Sequence, residues 1–449
     1  MPEQKWAIVG GGMLGLALAH KLNKQGRDVT ILEAGDRFGG LAEAWRIGDY
    51  TWDRHYHVTL LSDRNLRGLL ADIGIEDQLN WTTTKTDFYA DDTYYPLNNA
   101  IDYIRFGRLN LIDKARLAFT ILYASMLKNG VRLECIPVGD WLTRLSGRRV
   151  YERIWQPLLR AKLGDNSKIV SASFIWSVIN RFYGARRSGL KTEMFGYVKG
   201  GYSAILERLI ADLQSRGVAT KASSPVRNIA RVGDKLRITT PTGHADFDRV
   251  IVTVAGPLAA RMVPELDAEE LARLNGLKYQ GVVCTSLLLR QSLRGRYLTY
   301  IADESIPFTG VIEMTAVVDK ADFGGNALVY LPRYVPSDHA LFDRPDAEIE
   351  AEARAKLLAM YPHLDQTDIL AMRTSKARNV MAVQDLDYSR RVPAMTTSVD
   401  GLFVVNSAQI INGNLNVDET IALADRAAAA LATLERAEPD RWPLATAAE

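Results

Sequence analysis

The chain has 449 residues, 47% of them hydrophobic, and a net charge of +2 from 55 basic and 53 acidic side chains. That length and apolar share suffice for a large core divided over two domains, and the near-balance of charge excludes the broad basic footprint of a nucleic-acid-binding protein. Cys135 and Cys284 stand 149 positions apart, which excludes both a disulfide framework and a C-x-x-C redox pair, and no zinc-type cluster is present.

Lys5–Val9 reads as a strand, 14–25 as a helix closed by Gly26, and 29–32 as a second strand. Between the first strand and the helix, Gly10-Gly11-Gly12-Met13-Leu14-Gly15 satisfies G-x-G-x-x-G. Gly10 permits the tight turn, Gly12 lets a pyrophosphate approach the backbone, and Gly15 lets helix and strand pack closely. The first-turn amides around Met13 and Leu14 lie at the positive end of the helix dipole, where a phosphate is favoured. Glu33 follows Gly15 by 18 residues and ends the second strand, where a carboxylate accepts both ribose hydroxyls; an arginine there would suit a 2′-phosphate.

Arg37-Phe38-Gly39-Gly40 comes next, giving E-x5-G-G after Glu33. A second glycine pair lets the backbone run close to another part of a long, buried cofactor. This extended signature resembles that of the FAD-binding superfamily of monoamine oxidases, protoporphyrinogen oxidases, phytoene desaturases and UDP-galactopyranose mutases. The resemblance implies FAD, held in this part of the chain by the glycines and Glu33 together with Met13, Leu14, Ala34, Leu41 and Ala42. It also implies an α/β fold: a discontinuous Rossmann-like FAD-binding domain with a mixed sheet plus a helical insertion substrate domain.

The stretch Thr51-Trp52-Asp53-Arg54-His55-Tyr56-His57 is similar to the G-x-H-x-F-H stretch of the mutases, with one residue fewer between its histidines. Flavin-side contact by His55 and His57 is what the resemblance implies. At strand spacing the two also simply share a face and find hydrogen-bond partners there. A helix is predicted over 62–70, then a hairpin from Phe88 to Leu97 turning at Asp91-Asp92. From 98 to 187 the pattern is helical. Within it 109–127 comes nearest to a membrane span but is interrupted by Asp113, Lys114 and Arg116. It is expected to be a buried helix of the substrate domain, with lipid contact as the alternative. Trp155 to Gly164 resembles a W-x-P-L-L-x-x-K-x-G segment of protoporphyrinogen-oxidase-like proteins, and its Arg160 and Lys162 either bind a substrate anion or form a solvated helix face.

Tyr197 to Tyr202 marks the return to the nucleotide domain, followed by a helix over 203–214. In the superfamily a valine at the position of Val226 meets the adenine through its backbone. The apolar strand Gly281 to Arg290 carries Cys284 where amine oxidases have a lysine, which weakens the transfer of amine chemistry; Lys278 is a candidate shifted equivalent. Arg378 is expected on a strand leading toward the flavin, as the anion-binding candidate, and it joins His55 and His57 as the catalytic candidates. The last cofactor segment has Asn406-Ser407 where most relatives have Gly-Asp, and a polar turn through Leu415, Asn416 and Val417 opens the final helix. The dipole of that helix can favour negative charge on flavin N1 and O2.

The FAD-binding domain is expected over 1–88, 198–277 and 385–436, the substrate domain over 89–197 and 278–384, and a loose tail over 437–449. The function expected is an FAD-dependent oxidoreductase of C–N or C–C bonds in a small or isoprenoid-like substrate. A mutase-like non-redox flavoenzyme acting on a nucleotide sugar and a non-catalytic flavin-binding protein are the alternatives. The expected partner is a small-molecule substrate, with no nucleic acid, no metal, and peripheral membrane contact only as the lesser reading. The first strand starts within five residues of Met1, so a cytoplasmic location is expected.

Overall fold

The structure, a computed structural model, describes residues 4–98, 102, 105–187, 194–411 and 413–436, without side chains at 182–187 and 435–436. The tail expected at 437–449 lies outside the described residues.

Five parallel strands form the first sheet, in the order Ala219–Lys221, Asp28–Leu32, Lys5–Val9, Arg249–Val252 and Leu402–Val404. They come from the start, middle and end of the chain. The central strand is buried from Trp6 to Val9, as a parallel strand covered on both faces must be. Alternation assigns its two faces. Trp6 and Ile8 meet Leu16 and Leu18 of helix Met13–Lys24, and Ile421 and Ala424 of helix Val417–Arg436. Ala7 and Val9 meet Ile229, Leu236 and Phe247 of an antiparallel three-stranded meander. Because the chain leaves the central strand toward Asp28–Leu32 on one side and returns at Arg249–Val252 on the other, the strand order reverses at its carboxyl end. A crevice opens there.

The second sheet has seven strands in the order Ile369–Ala382, Tyr279–Leu289, Ala327–Pro336, Gly310–Glu313, Leu298–Ile301, Thr86–Ala90 and Thr93–Pro96. It is the sheet of mixed direction: Thr86–Ala90 runs parallel to Leu298–Ile301, and every other neighbouring pair is antiparallel. Tyr279–Leu289 is buried at every residue. Thr86–Ala90, which a boundary after residue 88 would divide, belongs to this sheet throughout. The hairpin turns at Asp91 and Asp92, both at positive φ.

The helical excursion builds its own core, with Leu117, Leu142, Leu159 and Phe174 packed against Phe88 and Met381 of the second sheet. Helix Leu111–Met126 was expected to be buried, and only one of its faces is. Asp113, Leu117, Thr120 and Ala124 point inward, while Leu111, Ile112, Phe119, Leu122, Tyr123 and Met126 are exposed. Among the described residues no helix is long and apolar enough to cross a membrane, and no group of three or more His, Cys, Asp or Glu side chains could hold a metal ion.

Candidate cofactor cradle and active site

The crevice is shaped by glycines with different steric duties. Gly10 sits at φ +113°, and a Cβ on Gly15 would lie 2.0 Å from the Gly10 carbonyl oxygen, so only glycine lets helix Met13–Lys24 start this close to the strand. Gly12 differs. A Cβ there would meet nothing nearer than Gly40 Cα at 4.0 Å, and no side chain caps the helix that Gly12 begins. The uncapped first turn around Met13 and Leu14 therefore faces open space bordered by the second glycine pair, which is what a phosphate requires.

That second pair is tied to the first turn. Gly39 donates its amide to the Gly11 carbonyl at 2.8 Å, and Gly40–Ala42, including Leu41, form a short 3-10 turn beside it. Glu33 accepts from the Gly11 amide through Oε2 and from the Gly35 amide through Oε1, each at 2.7 Å. Each carboxylate oxygen keeps a lone pair for a ligand hydroxyl. Ala34 is exposed at this rim. The Ser224 amide donates to the Glu33 carbonyl at 2.8 Å, which brings buried Val226 alongside Leu32 and Val9.

The last segment closes the opposite end. Asn406 is buried; its Oδ1 accepts from the Ala408 amide at 3.0 Å at the head of the turn Ser407–Gln409, and its Nδ2 has no partner. Gln384 Nε2 donates to the carbonyls of Ile410 and Gly413, pinning the loop that follows. Asn416 Oδ1 accepts from the Glu419 amide at 3.0 Å and so starts helix Val417–Arg436, while Leu415 packs between the cores of the first sheet and the helical region. Asn414 Oδ1 is likewise buried and unpaired. Unpaired buried polar atoms are costly, and these two, with the cradle at Gly12, fit a long cofactor that brings donors and acceptors of its own.

Between the cradle and the second sheet lies an aromatic chamber. Tyr56 and Tyr334 share a hydroxyl–hydroxyl hydrogen bond of 2.7 Å, the His57 ring lies 4.9 Å from that of Tyr202, and Tyr330 donates to the Asp53 carbonyl at 2.6 Å. His57 Nδ1 is 2.9 Å from the His55 carbonyl oxygen. A carbonyl can only accept, so Nδ1 carries the proton and Nε2 is left as an acceptor. Burial lowers the His57 pKa to about 4, the Lys162 charge lowering it further, and lowers that of His55 to about 3. Both rings are neutral near pH 7. His55 Nε2 is buried without a partner. The Cys284 thiol, buried in the same chamber, is pushed up by desolvation and stays protonated.

The candidate cations do not converge here. Arg378 opens an irregular stretch of its strand, just after Ala377, and it turns to the far side of the second sheet. There it pairs with Asp343, donates to the Ser337 carbonyl and lies over the Phe342 ring. It is removed from the catalytic candidates. Arg333 faces the same outer side, among Val283, Leu341 and Ile349, Arg160 is engaged by Glu304 and the Ala302 carbonyl, and Lys278 pairs with Asp385.

Sequence reasoning underweighted Lys162, whose ammonium lies 5.1 Å from the Tyr334 ring centroid. Its signal was Gly164, two residues on, at φ +55° and packed against the Tyr334 carbonyl so closely that a Cβ would come within 2.2 Å of it. Asp53 and Tyr202 were missed as a pair. Asp53 Oδ1 accepts from the Tyr202 amide at 2.8 Å, at the start of helix Gly201–Ser215.

Comparison with known proteins agrees with this geometry. The family model for flavin-containing amine oxidoreductases matches residues 14–428. A curated relative, coproporphyrinogen III oxidase of Mycobacterium tuberculosis, is 26% identical over 283 residues, which cover 59% of this chain and 61% of that enzyme's length. The crystal structure of a putative protoporphyrinogen oxidase from Exiguobacterium sp. 255-15 superimposes with a TM-score of 0.77 at 18% identity, covering 96% of this chain and 99% of that one. Reduced UDP-galactopyranose mutase shares the fold as well, with a TM-score of 0.71 at 15% identity over 97% of this chain and 95% of the other.

Proposed function

The chain belongs to the flavin-containing amine oxidoreductase family; from that premise we propose that it is a flavin oxidoreductase, that its flavin is FAD and that it oxidises a C–N or C–C bond of a small or isoprenoid-like substrate. The observation that carries the FAD reading is Glu33. A carboxylate held by two backbone amides at the end of the second strand suits an adenosine ribose and has no purpose in a mononucleotide site. Residues Gly10 to Gly15 would hold the pyrophosphate, Gly39 to Ala42 and Asn406 to Val417 the ribityl and ring portions, and Val226 the adenine. When bound, FAD supplies a two-electron acceptor that takes hydride from carbon.

The chain's own contribution is to orient substrate, exclude water and hold a proton. Tyr56 and Tyr334, joined through their hydroxyls and only partly buried, offer aromatic surface that suits an apolar substrate, with buried Tyr330 packed behind Tyr56 and buried Tyr202 beside His57. The tautomer of neutral His57, which leaves Nε2 to accept, supports it as the group that receives a proton from a substrate nitrogen or carbon. Cys284 offers no cation at the position where an amine oxidase has its lysine. This favours C–C desaturation or ring oxidation over amine oxidation. Arginines that would clamp a nucleotide-sugar diphosphate lie elsewhere, which disfavours the mutase alternative.

The test begins with colour. Purified protein should be yellow, and the flavin released by heat should be FAD rather than FMN; a colourless protein that rejects added FAD would overturn the reading. Anaerobic mixing with amines and with polyisoprenoids or porphyrinogens then asks which of them bleaches the flavin. Activity only after dithionite reduction, and only with UDP-sugars, would replace oxidation by the mutase alternative. A flavin that no candidate bleaches would point to the non-catalytic one.

A further inference from the structure

Helix Leu111–Met126 presents a continuous apolar stripe to solvent. Leu111, Ile112, Phe119, Leu122, Tyr123 and Met126 recur at helical spacing over four turns, with exposures of 78% at Leu111 and 69% at Met126, and the rings of Phe119 and Tyr123 stack on one another. Single exposed apolar residues need no explanation, but a contiguous stripe does. The helix is not loosely attached. Asn110 and Asp113 form a reciprocal cap at its start, and Thr120 on its inner face bonds Ser146 at 2.7 Å.

Charge around the stripe is predominantly basic. Asp113, the only acidic residue of the helix, is turned inward and paired with Arg149. Arg116, Lys128 and Arg132 are exposed on the same side as the stripe or just past its end. Residues 101–155 contain ten Lys and Arg against five Asp and Glu, in a chain whose whole balance is only +2. We infer that this face docks on an anionic phospholipid surface, with the stripe entering the acyl boundary and the basic rim meeting the headgroups. A second copy of the chain fits less well, because a two-fold contact would set the basic rim against itself. The inference is independent of the reaction proposed above, and it gives the fold an orientation in which one wall of the helical region faces lipid.

The test is flotation of the flavin-loaded protein with vesicles of phosphatidylcholine alone and with about one third phosphatidylglycerol. The wild type should float with the anionic vesicles at low salt, stay below with neutral ones, and be released as screening increases. F119E/L122E, which changes only exposed positions, should weaken partition by about tenfold or more, as should R116E/K128E, with the unfolding temperature and the bound flavin unchanged in both. Failure of the wild type to float on anionic vesicles would overturn the inference, and so would equal partition by F119E/L122E. A concentration-dependent dimer that F119E/L122E dissolves, without flotation of the wild type, would assign the face to a second copy instead.

Discussion

Asp53 Oδ1 accepts the Tyr202 amide at 2.8 Å across 149 residues of chain, and in doing so it ties the aromatic chamber to the first turn of helix Gly201–Ser215. The side chain is buried at the floor of the chamber, and a Cβ on Gly201 would come within 2.7 Å of that same oxygen. Burial raises its pKa from 3.8 to about 8, against the lowering effect of the Tyr202 amide.

A folded-state pKa above the unfolded one has a definite consequence. The stability contributed by the neutral carboxyl is fully present below 3.8 and is lost as pH rises through about 8. Asparagine keeps the oxygen acceptor and has no charge to bury. D53N should therefore show a melting temperature that falls less between about pH 5 and about pH 9 than the wild type's, and should exceed it at the alkaline end. Thermal scans of both proteins over that range check it; parallel curves would refute the assignment of a protonated Asp53.

The histidines act at the other end of the scale. His57 and His55 have folded pKa values of about 4 and about 3, below the ordinary 6.5, so the stability of keeping them neutral is complete above 6.5 and is lost as pH falls toward those values. H57Q retains an N–H donor for the His55 carbonyl and cannot be protonated in this range. Flavin retention, followed by fluorescence of released cofactor, should drop on acidification in the wild type, and its midpoint should lie at lower pH in H57Q.

Two glycines of the same motif should fail in different ways. G15A drives a methyl to 2.0 Å from the Gly10 carbonyl, so strand and helix must part. A loss of about 1–3 kcal/mol or more in unfolding free energy is expected, with or without flavin. G12A meets nothing closer than 4.0 Å. Its apoprotein should unfold within about 0.5 kcal/mol of the wild-type apoprotein, yet it should be colourless, since the methyl would occupy the space proposed for phosphate. Denaturant titration of both apoproteins, with flavin content measured separately, distinguishes packing from binding.

The contrast between these glycines also explains what was legible in the sequence. The cradle is local: strand, turn, helix and Glu33 lie within one short stretch, and each is fixed by backbone rules that leave a mark in residue type. The chamber is assembled from afar. Tyr56 meets Tyr334 across 278 residues, and no spacing announces such a pair. Arg378 was misplaced because side chains alternate along a strand: Ala377, paired with Val282, packs in the core beside the chamber, so Arg378 next to it points to the other face, where the strand becomes irregular and residues 378–380 lie opposite Gly281 alone. Helix Leu111–Met126 was read as buried because its apolar content suggested it. Hydrophobicity marks which faces avoid water, not whether the fold covers them.

Lys162 offers the sharpest remaining test, because its charge acts on His57 without being part of it. The ammonium sits over Tyr334, whose hydroxyl bonds Tyr56, and its field opposes protonation of His57. K162M removes the charge and keeps most of the stem's packing. His57 should then protonate at higher pH, so the acid midpoint of flavin retention should move up, opposite in direction to H57Q. In the double variant K162M/H57Q that upward shift should vanish, since nothing at position 57 is left to titrate. R378A supplies the control: its guanidinium is on the far face, paired with Asp343, and its removal should leave the midpoint where it was. If K162M moves the midpoint equally with and without His57, Lys162 acts through packing alone, and the chamber's electrostatics must be assigned to other groups.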